Sequence, residues 1–273
     1  MSNVSEPVNQ QQWQQDGYLI LRGLFSPERC AAANALLDEL WQQRTDLEHP
    51  ITIDAWLESA QSRRMLFADA PDDARLSPYK INDLYRDFPA IRQLILDPSL
   101  SDVLRQLLDG NPLVCNSLNF EFGSQQASHI DTLYMPPRVD NKLVVSWIAL
   151  DEVDDSNGPV QLYPGSHLIP PYRFSNGGIK AVGAEMDAFN NYIREQLQQR
   201  DIKPVPFTAE PGDVLIWHAQ LLHGGSAITD ADKTRRSLVT HYFRQQDYRH
   251  HFWRLRKEHP HGYYLHRRHA PPN

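Results

Sequence analysis

The pattern of apolar positions divides the chain into two parts that meet near residue 110. In the first part, apolar residues recur at the three- and four-residue spacing of amphipathic helices, as in the run from Cys30 to Leu40. Ser26 and Pro27 precede this run and suit the N-cap and the first turn of a helix. We therefore expect a helical part over about residues 1–110. Its predicted elements are a strand within 16–25 and helices within 26–43, 55–67, 87–96 and 98–109.

After Gly110 the pattern changes to short apolar and aromatic segments separated by Gly, Pro, Asn and Asp. Several strands of this kind are typical of an antiparallel sandwich or barrel, which a helical layer would cover on one face. The chain is therefore expected to be mainly β, with a core over about residues 111–245. The predicted strands lie within 112–122, 129–135, 142–151, 159–165, 213–220 and 236–243.

Two segments lie outside this strand pattern. Residues 168–210 interrupt the strands and contain a predicted helix at about 185–199, so they form either a lid or a surface elaboration. Residues 244–273 combine basic residues with aromatic ones. A flap over an anionic substrate is one interpretation, but four aromatic side chains so close together favour burial on the sheet or on a second subunit. A homodimer is thus an open alternative. The four aromatic residues are Phe252, Trp253, Tyr263 and Tyr264.

Composition narrows the class of protein. The 273 residues are 41% hydrophobic and 22% charged, which is typical of a compact globular chain. A formal net charge of -7 argues against a general polyanion binder, so we expect no nucleic-acid partner. The chain has no apolar run of the roughly 18 residues that a membrane span needs and no signal-peptide pattern, so a cytoplasmic location without membrane attachment is expected. Cys30 and Cys115 are expected to be buried free thiols.

Candidate chemistry begins at His129 and Asp131, which are separated by one residue. On an extended segment the two side chains would point to the same side, because strand side chains alternate with a period of two. One histidine and one carboxylate are two of the three ligands of the facial triad that holds Fe(II) and leaves other coordination positions open. This spacing is common by chance, so the interpretation depends on a third ligand.

His218 and His223 are the candidates for the third ligand. They are five positions apart, so on one regular strand they would face opposite sides. Paired glycines follow His223 and permit a tight turn. Further along, Arg235 and Arg236 begin another predicted strand. One guanidinium could bind the distal carboxylate of a dicarboxylate cosubstrate, and the other would face solvent or an acidic partner.

Six segments, in order along nearly the whole chain, carry a family resemblance. They are DGYLILRGLFSPE, KINDLY, HID, WIALDEVDDSNGPVQLYPGSH, GDVLIWHAQLLHGG and TRRSLVTHYF. Together they resemble the phytanoyl-CoA dioxygenase family of Fe(II)- and 2-oxoglutarate-dependent oxygenases. The resemblance implies a single domain over residues 1–273 with a double-stranded β-helix core, the cupin-like jelly roll.

The resemblance also implies the roles of individual residues. Iron would be held by His129, Asp131 and His223, and Arg235 would bind 2-oxoglutarate, with O2 as the oxidant. Further implied cosubstrate contacts are Ser237, Trp147, Lys80 and Asn119. Residues expected to face the substrate are Tyr134, Met135, Arg138, Tyr172 and Arg173. The two remaining histidines near these segments, His167 and His241, are expected to be structural.

The resemblance predicts a reaction class. Halogenating relatives have a small residue in place of the aspartate, so Asp131 favours hydroxylation or a related oxidation of an unactivated carbon in a small molecule, with release of succinate and CO2. Two alternatives remain. A cupin-type metalloenzyme that does not use 2-oxoglutarate would keep the metal ligands without needing Arg235, and a non-catalytic binding module would need neither.

Overall fold

The computed structural model describes residues 8–252 and 254–267. Five α-helices lie in this part of the chain, and four of them precede residue 110. Three of these four lie within the predicted ranges 26–43, 87–96 and 98–109, whereas the helix at residues 10–16 was not predicted. The helix that follows Ser26 buries Cys30, Ala33 and Leu37 on one face, which is the face that the apolar spacing indicates. The helices are α1 (Gln10–Asp16), α2 (Pro27–Gln42), α3 (Pro89–Ile95), α4 (Pro98–Leu108) and α5 (Met186–Gln199).

The strands form a large sheet and a small sheet. The strands are β1 (Tyr18–Leu21), β2 (Thr52–Ala55), β3 (Arg63–Leu66), β4 (Lys80–Asn82), β5 (Pro112–Phe120), β6 (Leu143–Ala149), β7 (Val160–Leu162), β8 (Val205–Phe207), β9 (Val214–His218), β10 (His223–Gly225), β11 (Ser237–Arg244), β12 (Arg256–His259) and β13 (Gly262–Leu265). The large sheet has the order β1-β9-β6-β11-β5-β4-β2-β3, with the β12–β13 hairpin joined to β5, and the small sheet has the order β10-β7-β8.

Two apolar clusters lie on opposite faces of the large sheet. One lies between its outer face and helices α2, α3 and α4, and contains Leu238 and Tyr242 of β11. The other lies between the two sheets and contains Val239 and Phe243 of the same strand. Because β11 alternates between the two clusters, its odd-numbered residues face the interior of the sandwich. The fold is the predicted double-stranded β-helix with a helical layer on one face.

The helix predicted over 55–67 is wrong, because this segment forms the hairpin of β2 and β3. Trp56 and Glu58 both have positive φ angles of 54° and 59°, which a right-handed helix excludes. Arg64 of β3 binds Asp54 of β2 with two hydrogen bonds of 2.6 and 2.8 Å. Pairing of β2 with β4 places the hairpin in the large sheet. Tertiary pairing therefore overrides the local helical pattern.

The predicted helix within 168–210 is present as α5. Its Phe189 packs in a third apolar cluster with Phe174, Ile130 and Leu133. Ile130 and Leu133 flank Asp131, so this long connection lies directly against the segment that carries two of the candidate metal ligands.

The C-terminal segment is part of the sheet. Tyr263 and Tyr264 of β13 pair in parallel register with Leu113 and Val114 of β5, and the Tyr264 ring lies 6.2 Å from that of Tyr85. These contacts support partial burial of Tyr263 and Tyr264, but Phe252 is 40% exposed, contrary to the prediction. Trp253 lies outside the described residues. Cys30 and Cys115 are buried and free, as expected. No helix within the described ranges has the length and apolar character needed to cross a membrane.

Candidate metal centre

A cavity, here called the inner cavity, lies between the two sheets. Its walls are mostly apolar. His129, Asp131 and His223 line it together with Arg235. The arrangement suits a small molecule that is anionic at one end and binds a metal at the other.

The ligand atoms of His129, Asp131 and His223 all lie within 4.8 Å of one another. The Nε2 atoms of the two histidines are 3.9 and 3.8 Å from Asp131 Oδ1, so one ion could bind all three. Each histidine directs its Nδ1 to a backbone carbonyl, that of Ala127 for His129 and that of Leu221 for His223, both at 3.0 Å. Nδ1 therefore carries the proton, and the Nε2 lone pair is available to a metal.

Asp131 is also held from behind. The indole Nε1 of Trp217 donates a 2.8 Å hydrogen bond to Oδ2, which leaves Oδ1 for the metal. Burial alone would raise the pKa of Asp131, but His223 and His241 hold it below its usual range, so the carboxylate is ionised. Burial and the neighbouring His223 lower the pKa of His129 to about 4, so His129 is neutral near pH 7. A neutral imidazole and an ionised carboxylate are the protonation states that ligation requires.

The local structure around these ligands differs from the prediction in two ways. Residues 129–135 do not form a strand, because His129 makes a single bridge with His223 and Asp131 begins a 3-10 turn. Ile130 between them is extended, which is sufficient to bring both side chains to one side. The glycines after His223 permit close approach rather than a turn. A Cβ on Gly225 would lie 2.8 Å from the backbone nitrogen of Gln125.

His218, the alternative third ligand, lies elsewhere. It ends β9 in the large sheet, whereas His223 begins β10 in the small sheet, so the two histidines do not share one regular strand. The His218 ring lies 5.9 Å from that of Trp13 and 5.5 Å from that of His167. Its Nδ1 accepts a hydrogen bond of 3.1 Å from the backbone N–H of Gln220. Its role is structural.

His218 is buried, and its burial predicts a contribution to the stability of the protein that is lost in acid. Burial lowers the pKa of His218 to about 4, below the value of about 6.5 expected in the unfolded chain. Because the unfolded chain takes up the proton first, the contribution is complete above pH 6.5 and is lost as the pH falls towards 4. We expect it to reach about 3 kcal/mol. Chemical denaturation at pH 7, 5.5 and 4 should show a smaller loss in His218→Asn than in the parent. Equal pH dependence in both proteins would contradict this assignment.

Arg235 is 3% exposed and has no carboxylate within 4 Å among the described residues. Its Nε and Nη1 atoms are buried without hydrogen-bond partners. Burial lowers the pKa of the guanidinium to about 10, so it remains charged near pH 7. A buried cation without a partner is unfavourable unless an anion joins it. Arg236, by contrast, binds Asp38 and Glu121 at 2.8 Å, so it has the acidic partners expected for the second arginine.

Of the four other residues expected to contact the cosubstrate, two lie beside Arg235 and two lie elsewhere. Trp147 lines the inner cavity, with its ring 5.4 Å from the Arg235 guanidinium. Ser237 follows on the same face of β11, and its buried hydroxyl has no partner. Lys80 lies in a neighbouring cavity with its Nζ 3.8 Å from Asp54. Asn119 is not brought to the inner cavity. It pairs in register with Ile81 and Leu238, which belong to the outer cluster.

Of the five residues expected to face the substrate, two lie beside the metal ligands and three do not. Tyr134 and Met135 line the neighbouring cavity, beside His129 and Asp131. Arg138 instead lies over the Tyr248 ring at 5.7 Å. The Tyr172 ring packs on those of Phe174, Phe189 and Tyr192. Exposed Arg173 donates a hydrogen bond to the carbonyl of Gly177. These last three residues line neither cavity.

Sequence reasoning missed two residues at the metal centre, Trp217 and His241. His241 was expected to be an ordinary strand histidine, but its Nδ1 has no partner and its Nε2 is 3.4 Å from Asp131 Oδ1. The two-residue period of β11 could have revealed it, because His241 shares the inward face with Arg235. The same period on β9 places Trp217 inward once His218 faces outward.

Comparisons with known proteins agree with this geometry. Residues 13–237 match the family model for phytanoyl-CoA dioxygenase (PhyH). Phytanoyl-CoA dioxygenase domain-containing protein 1 of Danio rerio is 22% identical over 269 residues, which cover 87% of this chain and 89% of that protein.

Two solved structures share the fold. The α-ketoglutarate-dependent carbocyclase SnoK from nogalamycin biosynthesis is 18% identical with a TM-score of 0.64, covering 89% of this chain and 84% of SnoK. EctD from S. alaskensis with 2-oxoglutarate and 5-hydroxyectoine is 19% identical with a TM-score of 0.63, covering 96% and 82%.

Proposed function

Because the chain belongs to the phytanoyl-CoA dioxygenase family, we propose that it is an Fe(II)- and 2-oxoglutarate-dependent oxygenase that hydroxylates, or otherwise oxidises, an unactivated carbon of a small molecule. One observation carries the proposal. A buried, unpaired Arg235 lies in the same cavity as the cluster of His129, Asp131 and His223. An enzyme that needs only the metal has no use for this cation, so Arg235 favours the 2-oxoglutarate-dependent reaction over the two alternatives.

In this proposal each residue has a defined task. His129, His223 and the Oδ1 atom of Asp131 hold Fe(II), while Trp217 keeps the carboxylate in its orientation. Arg235 binds the distal carboxylate of 2-oxoglutarate, and the Ser237 hydroxyl donates a further hydrogen bond to it. When bound, Fe(II) together with 2-oxoglutarate and O2 supplies the oxidising chemistry, with succinate and CO2 as products.

The residues around the metal ligands shield the site, add positive charge to it and support the segment that carries the ligands. Trp147 closes one wall of the inner cavity and keeps water from the Arg235 ion pair. Lys80 contributes positive charge beside the metal ligands, since it is among the groups that lower the pKa of His129. Tyr134 and Met135 face the substrate from the neighbouring cavity. The connection containing α5 packs on both sides of Asp131 and fixes the ligand segment.

Binding under anaerobic conditions tests the proposal directly. Fe(II) should bind at one equivalent, and adding 2-oxoglutarate should produce the visible charge-transfer absorption of a keto acid chelated to ferrous iron. Admission of O2 should then yield succinate even without a primary substrate, although slowly. Tight binding of the metal with no change on adding 2-oxoglutarate would instead support a metalloenzyme that does not use this cosubstrate.

A further inference from the structure

A second cavity, here called the outer cavity, opens beside the metal centre. It shares His129, Asp131 and His241 with the inner cavity, so a molecule bound there would lie next to the metal ligands. In the proposed function the inner cavity holds 2-oxoglutarate. The outer cavity is then the space for the molecule that is oxidised.

Three cations from separate parts of the chain line the outer cavity. Arg64 comes from β3, Lys80 from β4, and Arg267 from the residues after β13. Among the described residues that line it, Asp131 is the only carboxylate, and the metal would neutralise that charge. Apart from Tyr134, the remaining wall is mainly carboxamide, with apolar contacts from Leu118 and Met135. A long hydrocarbon chain would find few partners here.

The acidic partner nearby offsets only part of this charge. Asp54 accepts both hydrogen bonds from Arg64 and lies 3.8 Å from Lys80 Nζ, so one carboxylate serves two cations. Burial lowers the pKa of Lys80, and Asp54 opposes that change. An additional anion beside Lys80 would stabilise its charged form further.

Arg267 has no carboxylate within 4 Å among residues 8–252 and 254–267. Its Nη2 donates a hydrogen bond of 3.3 Å to the carbonyl of Cys115, which orients the guanidinium. Its Nε is buried and has no partner. The planar guanidinium thus retains donors for an oxyanion, which it can bind with two parallel hydrogen bonds.

We propose that the outer cavity binds the primary substrate through an anionic oxygen group, a carboxylate or a phosphate ester, held by Arg267 together with Arg64 and Lys80. The substrate is therefore a small polar acid rather than a long apolar molecule. This inference rests on the proposed function for the identity of the bound molecule as substrate, but the anion site itself can be tested without turnover.

The test uses Mn(II) in the metal centre as a paramagnetic reporter, with 2-oxoglutarate at saturation so that Arg235 is occupied. Inorganic phosphate and carboxyl-labelled acetate are the two probes, observed by phosphorus and carbon NMR. A probe in the outer cavity relaxes faster because it lies close to Mn(II), and the same protein with Zn(II) gives the diamagnetic baseline. Titration of each probe gives its affinity. Tighter binding of phosphate than of acetate would indicate a phosphate ester, and the reverse would indicate a carboxylate.

Arg267→Gln should weaken binding of the better probe by about tenfold, as expected for loss of a charge-assisted pair. Lys257→Gln removes one positive charge from exposed β12, outside the cavity, and is the matched control. Arg267→Lys keeps the charge and should retain most of the binding, provided that all variants melt at similar temperatures. If Arg267→Gln does not fold, Arg64→Gln at the exposed mouth of the cavity takes its place.

Equal relaxation in Arg267→Gln, Arg64→Gln and Lys257→Gln would overturn the anion site. Failure of the proposed function would look different. In that case 2-oxoglutarate would not bind the Mn(II) protein, while phosphate or acetate relaxation would still depend on Arg267.

Discussion

Replacing Asp131 with alanine is expected to lower the affinity for Fe(II) by at least about 100-fold and to abolish succinate formation. Partners behind a metal ligand alone typically contribute 10–100-fold, so loss of the ligand itself should have a larger effect. The Oδ1 atom of Asp131 lies within 3.9 Å of the Nε2 atoms of both His129 and His223, and among the described residues no other carboxylate belongs to this cluster. Metal titration by calorimetry measures the first effect, and coupled detection of succinate measures the second.

The fold should survive this change. The substitution removes the acceptor of the Trp217 indole N–H, which costs about 1–3 kcal/mol, but it also removes a buried carboxylate. Asp155→Ala, at an exposed turn position, is the control for loss of one negative charge. An Asp131→Ala protein that keeps its melting temperature, binds Fe(II) normally and forms succinate would show that the metal centre is elsewhere.

Local patterns were sufficient for much of the fold. The spacing from Cys30 to Leu40 predicts α2 because a single face of that helix packs on the large sheet. The long apolar runs that became β6 and β11 are buried on both faces, so their strand character is visible in the sequence. The hairpin of β2 and β3 was missed because its pairing depends on β4 and on the Asp54–Arg64 ion pair, and neither has a local signature.

The candidate site shows the same division between local and distant information. The spacing of His129 and Asp131 brings the two side chains together even though the segment is not a strand, since one extended residue is enough. The separation of His218 from His223 depends on a change of sheet between β9 and β10. The alternation of side chains along one strand cannot show such a change. Arg267 reaches the outer cavity only because β13 pairs with β5. No local pattern connects these parts of the chain.

Arg235→Gln should weaken 2-oxoglutarate binding and Arg236→Gln should lower the stability of the fold, although the two arginines are adjacent. Arg235→Gln should weaken 2-oxoglutarate binding by roughly 2–5 kcal/mol, the usual loss when one partner of a buried charge pair is removed. It should not lower the melting temperature of the protein without ligand, because Arg235 is buried without a partner in that state. Removing a desolvated charge can even be stabilising.

Arg236→Gln should leave 2-oxoglutarate binding nearly unchanged and lower the free energy of unfolding by about 1–3 kcal/mol, because Glu121 and Asp38 lose a shared partner. Melting temperatures measured with increasing 2-oxoglutarate separate the two effects in one experiment. Ligand stabilises the folded state in proportion to the logarithm of its concentration over Kd. Arg236→Gln should therefore start lower and rise in parallel with the parent, whereas Arg235→Gln should start level and rise only at much higher 2-oxoglutarate. If the two responses are exchanged, Arg236 is the cosubstrate anchor, and Arg236 rather than Arg235 faces the inner cavity just before β11.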